Sequence, residues 1–194
     1  MENAFVFKHP LKAQSPLNGM NRTFEGVIIK EITNRDIVSI ATPSGGKDAL
    51  SGAVRTAYQA TLPTVGQWAG SSVDNAQFLG MASDQYFAVF DHSGSEALVV
   101  IESKLGNAGY YTDQSDSWVI IRIGGPKSRS ALERICSIDL HPTVFPEGSV
   151  TRTLMEHLGT IILSEPNSYF LLLSARSSAE SFLQAIQESV ENIL

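Results

Sequence analysis

One strand–turn–helix pattern occurs twice in this chain, 82 positions apart, and no other feature constrains the fold as tightly. Val119 to Cys136 echoes Ile37 to Val54. In each copy a β-branched run stops at a glycine- and proline-containing turn, and a helical pattern follows. Ala49, Leu50, Ala53 and Val54 correspond to Ala131, Leu132, Ile135 and Cys136. Each set falls at i, i+1, i+4 and i+5, one face of a helix. Leu62-Pro63-Thr64-Val65 is echoed by His141-Pro142-Thr143-Val144, and Ser83 to Phe87 by Pro166 to Phe170. A repeat near 80 residues is too long for a solenoid unit. The expectation is an α+β chain of two β-β-α-β-β-α units about a pseudo-twofold, with an extra strand at Ser149–Leu158. The alternative is two α/β segments made alike by shared physics.

Taken in order, residues 1–23 have no period and read as an extended N-terminal arm that docks on something larger. Residues 24–107 form the first α/β half and 108–194 the second, together one compact domain built by duplication. Phe24–Thr33 and Asp36–Thr42 read as two strands joined at Asn34-Arg35. Asp48–Gln59 reads as a helix, Phe78–Met81 and Tyr86–Phe90 as strands. Ser93 and Glu96 have capping-box spacing before a helix to Leu105, as have Ser177 and Glu180 before the last helix. That last helix should bury Ala179, Phe182, Leu183, Ile186 and Val190. Trp118 begins a strand that Gly124-Gly125 ends, and Pro126 stands where a first helical residue belongs. The helix predicted there carries Cys136 on its inner face.

Composition excludes several classes. A net charge of −6 argues against a nucleic-acid partner. No apolar run approaches the ~20 residues a membrane helix needs. One cysteine and no signal peptide point to a reducing, cytoplasmic setting. Only 18% of residues are charged, which suggests a surface partly covered by other chains.

Motifs of chemistry are few. Neither a dinucleotide nor a triphosphate glycine loop occurs, and no Cys/His spacing suits a metal. Asp91-His92 and Asp139-His141 are possible base–orienter pairs. The bland reading has Asp139 capping backbone N–H groups and His141 bonding a partner. Cys136 reads as a small buried apolar residue rather than a nucleophile. No catalytic, cofactor-binding or metal residue is assigned. Trp68 and Phe145 sit in matching proline-rich loops, where a preorganised aromatic makes a good interface anchor. Each could instead plug its own sheet. Arg152 offers a planar fork for a partner's carboxylate. The expected partner interface is therefore Phe145, Arg152, His141, Asp139 and Trp68.

The run C-S-I-D-L-H-P-x-x-F-P-x-G-S-x-x-R-T-L at Cys136–Leu154, with I-x-G-P-x-S-R-x-x-L at Ile123–Leu132, resembles the γ subunit of heterotetrameric sarcosine oxidase. The resemblance is strong from about Trp118 to Leu194. It implies a folate-binding-domain-like fold related to glycine-cleavage aminomethyltransferases. It also implies a non-catalytic assembly role beside α, β and δ subunits, in a complex that oxidatively demethylates sarcosine to glycine. FAD, FMN, NAD and tetrahydrofolate would belong to the complex, zinc to its δ subunit, and no cofactor to this chain. Two alternatives remain: a folate-binding aminomethyltransferase-like or regulatory protein, with Asp84, Asp91 or Asp113 as the pterin carboxylate, and a free-standing scaffold.

Overall fold

The computed structural model describes residues 14–194. Its strands are β1 (Asn21–Phe24), β2 (Val27–Glu31), β3 (Arg35–Ala41), β4 (Trp68–Gly70), β5 (Gln77–Ala82), β6 (Gln85–Asp91), β7 (Tyr110–Asp113), β8 (Trp118–Gly124), β9 (Val150–Met155), β10 (Leu158–Glu165) and β11 (Tyr169–Ala175). Its α-helices are α1 (Lys47–Tyr58), α2 (Ala97–Leu105), α3 (Ser128–Glu133) and α4 (Ala179–Glu191). Two antiparallel sheets form, ordered β1-β2-β8-β11-β10-β9 and β4-β5-β6-β3-β7.

Alternation along the strands sorts the apolar residues into three layers. Val119, Ile121, Ile123, Phe170 and Leu172 face α3 and α4 on one side of the six-stranded sheet. Val38, Ile40, Phe78, Tyr86 and Phe90 face α1 and α2 on the five-stranded sheet. Ile37, Leu79, Phe87, Val89, Ile120, Val150, Leu163 and Leu171 fill the space between the sheets. The molecule is thus a helix–sheet–sheet–helix stack. As expected, α4 buries Ala179, Phe182, Leu183, Ile186 and Val190.

The orders β3-β6-β5-β4 and β8-β11-β10-β9 follow one scheme, with a helix after the first strand and after the last. Each half therefore holds one strand more than β-β-α-β-β-α allows. The additions are β9, near where an extra strand was expected, and the three-residue β4, too short to show a period. The leading strands also change sheets. β2 pairs with β8 rather than β3, and β7 with β3 rather than β8. Asn34-Arg35 is accordingly a crossover and not a hairpin turn. The tight turn lies earlier, at Glu25-Gly26, where Gly26 has φ +80°. The 82-residue offset needs correction too. Ile37 faces the inter-sheet layer, as Ile120 does, while Val119 faces the helices. A one-residue slip reverses a strand's faces, so Ile37 corresponds to Ile120.

Helix ends also differ from expectation. α3 stops at Glu133, and Cys136 bridges to Met155 on β9 instead of sitting on a helix face. The N-caps of α2 and α4 are Glu96 and Ser178, and neither makes a side-chain cap bond, so both predicted capping boxes are unformed. Of residues 1–23, the first thirteen lie outside the described residues. Pro16–Gly19 is a turn held on this chain by Glu31, and 21–23 belong to β1, so the described part is not an extended arm.

Candidate functional site

The proline-rich loops of the two halves meet at one end of the stack. The Trp68 N–H donates to Gly148 O at 2.8 Å and the Val150 N–H to Gly66 O at 2.9 Å, around a bridge between Gln67 and Ser149. This seam joins the outer strands β4 and β9 of the two sheets. Val65 and Val144, echoed positions in the two loops, are 58% and 60% exposed, and Leu154 on β9 is 54% exposed.

The expected interface residues divide here. Asp139 and His141 are exposed. The Asp139 carboxylate accepts the His141 backbone N–H at 2.8 Å, and His141 Nδ1 lies 2.8 Å from Thr143 Oγ1. The pair is a turn brace with an outward-facing ring, and the two side chains do not bond each other. Arg152 is exposed on β9, its guanidinium 5.6 Å from the Phe87 ring centroid. Trp68 is half-buried beside the inter-sheet layer, and its indole N–H donates to Ser164 O at 3.0 Å. It ties the two sheets together.

Phe145 corrects the expectation. It is only 7% exposed and belongs to the layer under α3 and α4, with Leu132 and Leu140. Its N–H closes the turn on His141 O at 2.8 Å. The ring packs inward, over the chain's own sheet, so Phe145 is a plug and not an exposed anchor. Cys136 is half-buried, and desolvation pushes its thiol pKa up against weaker backbone bonds from Ile138 and Ser137.

Two polar constellations escaped sequence reading. His92 Nδ1 lies 3.0 Å from both oxygens of Asp36, whereas the neighbouring Asp91 binds Arg35 at 2.8 Å. The adjacency of Asp91 and His92 in the chain misdirected the pairing, since strand neighbours face opposite ways. The His92–Asp36 pair borders a cavity of about 650 Å³ that Arg176 and Glu96 also line. A second cavity of about 350 Å³ carries a polar chain across the sheets. Arg35 also donates to Gln77 at 3.1 Å, Gln77 to Glu165 at 3.1 Å, and Arg122 Nε to Glu165 at 2.7 Å. Each carboxylate there already has a donor.

Of the carboxylates considered for a pterin, Asp91 is taken by Arg35, Asp113 accepts two bonds from Ser115, and Asp84 is exposed at the β5–β6 turn. Among the described residues no three His, Cys, Asp or Glu side chains converge on a metal position, and no helix is long and apolar enough to cross a membrane.

No family model matches the chain, and no curated protein matches its sequence. Solved structures do. A chain of the heterotetrameric sarcosine oxidase from Corynebacterium sp. U-96, solved with pyrrole 2-carboxylate, superposes with a TM-score of 0.78 at 20% identity, over 93% of this chain and 95% of that one. The glycine cleavage system aminomethyltransferase T from Bartonella henselae gives 0.56 at 11% identity, over 80% of this chain and 44% of that one. This chain thus shares the fold of an oxidase chain of matching extent and of under half of an aminomethyltransferase.

Proposed function

We propose that this chain is the counterpart of the γ subunit in a heterotetrameric sarcosine oxidase, and that it works in assembly rather than in catalysis. The observation that carries this reading is the likeness, end to end in both chains, to a chain of such an oxidase. The run Cys136–Leu154 supports it independently. On this reading the chain acts in the cytoplasm, and oxidoreductase activity on sarcosine belongs to the complex. The α, β and δ subunits are its partners and carry FAD, FMN, NAD, tetrahydrofolate and zinc. The two halves descend from one duplicated unit, which the common strand scheme supports.

The assembly surface is the seam between β4 and β9: Val65, Val144 and Leu154, with Arg152, His141 and Asp139 at its margin and Trp68 bracing it from within. A folate-dependent reading asks for a central pocket, and the centre of this molecule is packed with Ile37, Leu79, Phe87 and Leu171.

Pull-down of the full chain from native cells, with mass spectrometry of what accompanies it, tests the proposal. Recovery of the larger oxidase subunits is expected. Recovery of the chain alone, together with saturable tetrahydrofolate binding by the isolated protein, refutes it in favour of the folate reading.

A further inference from the structure

Asn18-Gly19 is the only Asn-Gly step in the chain. Such a step can modify itself. The glycine nitrogen attacks the side-chain carbonyl carbon of the asparagine. An N–C bond forms, the C–NH2 bond breaks, and the proton from the nitrogen leaves with the amide as ammonia. Water then opens the cyclic imide at either carbonyl, giving aspartate or isoaspartate. Glycine favours the reaction because no Cβ shields the attacking nitrogen.

Space does not protect this step in the fold. Asn18 and Gly19 are exposed, with φ of +54° and +68°. A Cβ on Gly19 would meet nothing within 4 Å. Hydrogen bonds do protect it. The Gly19 N–H donates to Glu31 Oε2 at 2.7 Å and to Ser15 Oγ at 3.0 Å. Glu31 is fixed in turn: Oε1 accepts the Leu17 N–H at 3.2 Å, Oε2 the Ser15 hydroxyl, and the Glu31 N–H donates to Met20 O at 2.8 Å. Removing the Gly19 proton would leave an anionic nitrogen against a carboxylate only 3% exposed, a poorly screened repulsion. Attack therefore waits on local opening of the turn.

We infer that Asn18 is a self-modification site that Glu31 and Ser15 hold closed. Once the turn opens, the change is one-way. The product adds a carboxylate to a turn already closed on one, and isoaspartate inserts a backbone carbon that takes the Gly19 N–H out of register with Glu31. The same turn seats Leu17, 8% exposed in the layer under α3 and α4, and lines the 650 Å³ cavity through Ser15, Pro16 and Gly19. Modification thus loosens one wall of that cavity. The inference is independent of the assembly reading.

The purified full chain tests it, incubated at neutral pH folded and, in parallel, unfolded in urea. Peptide mass spectrometry follows conversion of Asn18 to aspartate and isoaspartate, and amide exchange at Gly19 is read on the same samples. Folded wild type is expected to convert about tenfold or more slowly than unfolded. Folded Glu31→Gln should convert about tenfold faster than folded wild type, and Ser15→Ala by a smaller factor, each in step with its Gly19 exchange rate. Thermal melts show that the variants are folded, and Ser15→Ala, which trims one part-buried hydroxyl, decides the matter should Glu31→Gln not fold. Conversion of folded wild type as fast as unfolded, or faster, overturns the inference and makes Glu31 a base for the reaction rather than its lock. Folded variants that convert no faster than wild type overturn it as well.

Discussion

Phe145→Ala separates a residue that holds this chain together from one that holds it to a partner. The ring is 7% exposed within the layer beneath α3 and α4. Truncating a buried phenylalanine removes its transfer free energy and leaves a cavity, typically costing about 3–5 kcal/mol. The loop limits collapse into that cavity, because the Phe145 and Val144 N–H groups are both fixed on His141 O. For a chain of this size each kcal/mol lowers Tm by roughly 2–4 °C, so the expected drop is roughly 6–20 °C. Thermal and denaturant melts of the isolated chain measure it. Association with larger subunits should persist below the new Tm, since the exposed seam is not altered directly. A Tm change under about 2 °C accompanied by lost association would refute this reasoning and return Phe145 to the interface.

Glu31→Gln should loosen the turn before β1. Its carboxylate is 3% exposed and accepts from the Ser15 hydroxyl, the Leu17 N–H at 3.2 Å and the Gly19 N–H at 2.7 Å; replacing it costs about 1–3 kcal/mol, and faster amide exchange at Leu17 and Gly19 is the readout. Cys136 should react slowly with thiol reagents at neutral pH, because burial raises its pKa and keeps it protonated. The sign for stability follows. Above roughly pH 8.5 the unfolded thiol ionises while the folded one does not, so its contribution is lost as pH rises; Cys136→Ala should flatten the alkaline limb of the stability curve, and an unchanged limb contradicts the assignment.

Periodicity carried most of the fold because it is a local signal. The α4 face, the β5–β6 hairpin and the strand opening at Trp118 each need only neighbours in the chain to be read. Sheet membership is not local. The exchange of β2 and β7 between sheets depends on which strand each meets in space, and Asn34-Arg35 looks like any short turn. Register was off by one residue because Val119, Ile120 and Ile121 are all apolar. Such a run is buried on both faces, and the alternation that would identify a face is absent. Capping boxes failed for the opposite reason: Ser-x-x-Glu spacing permits the bonds without requiring them.

The same distinction explains the candidate site. Prolines marked the loops that form the β4–β9 seam, Pro63 in one and Pro142 and Pro146 in the other, but proline restricts φ without saying which way an aromatic points, so Phe145 could face inward or outward until Leu132 and Leu140 were in place. Strand exchange was still less accessible. The register of β2 on β8 exists only because β2 leaves its own half of the chain, and no pattern within β2 records which strand it will meet.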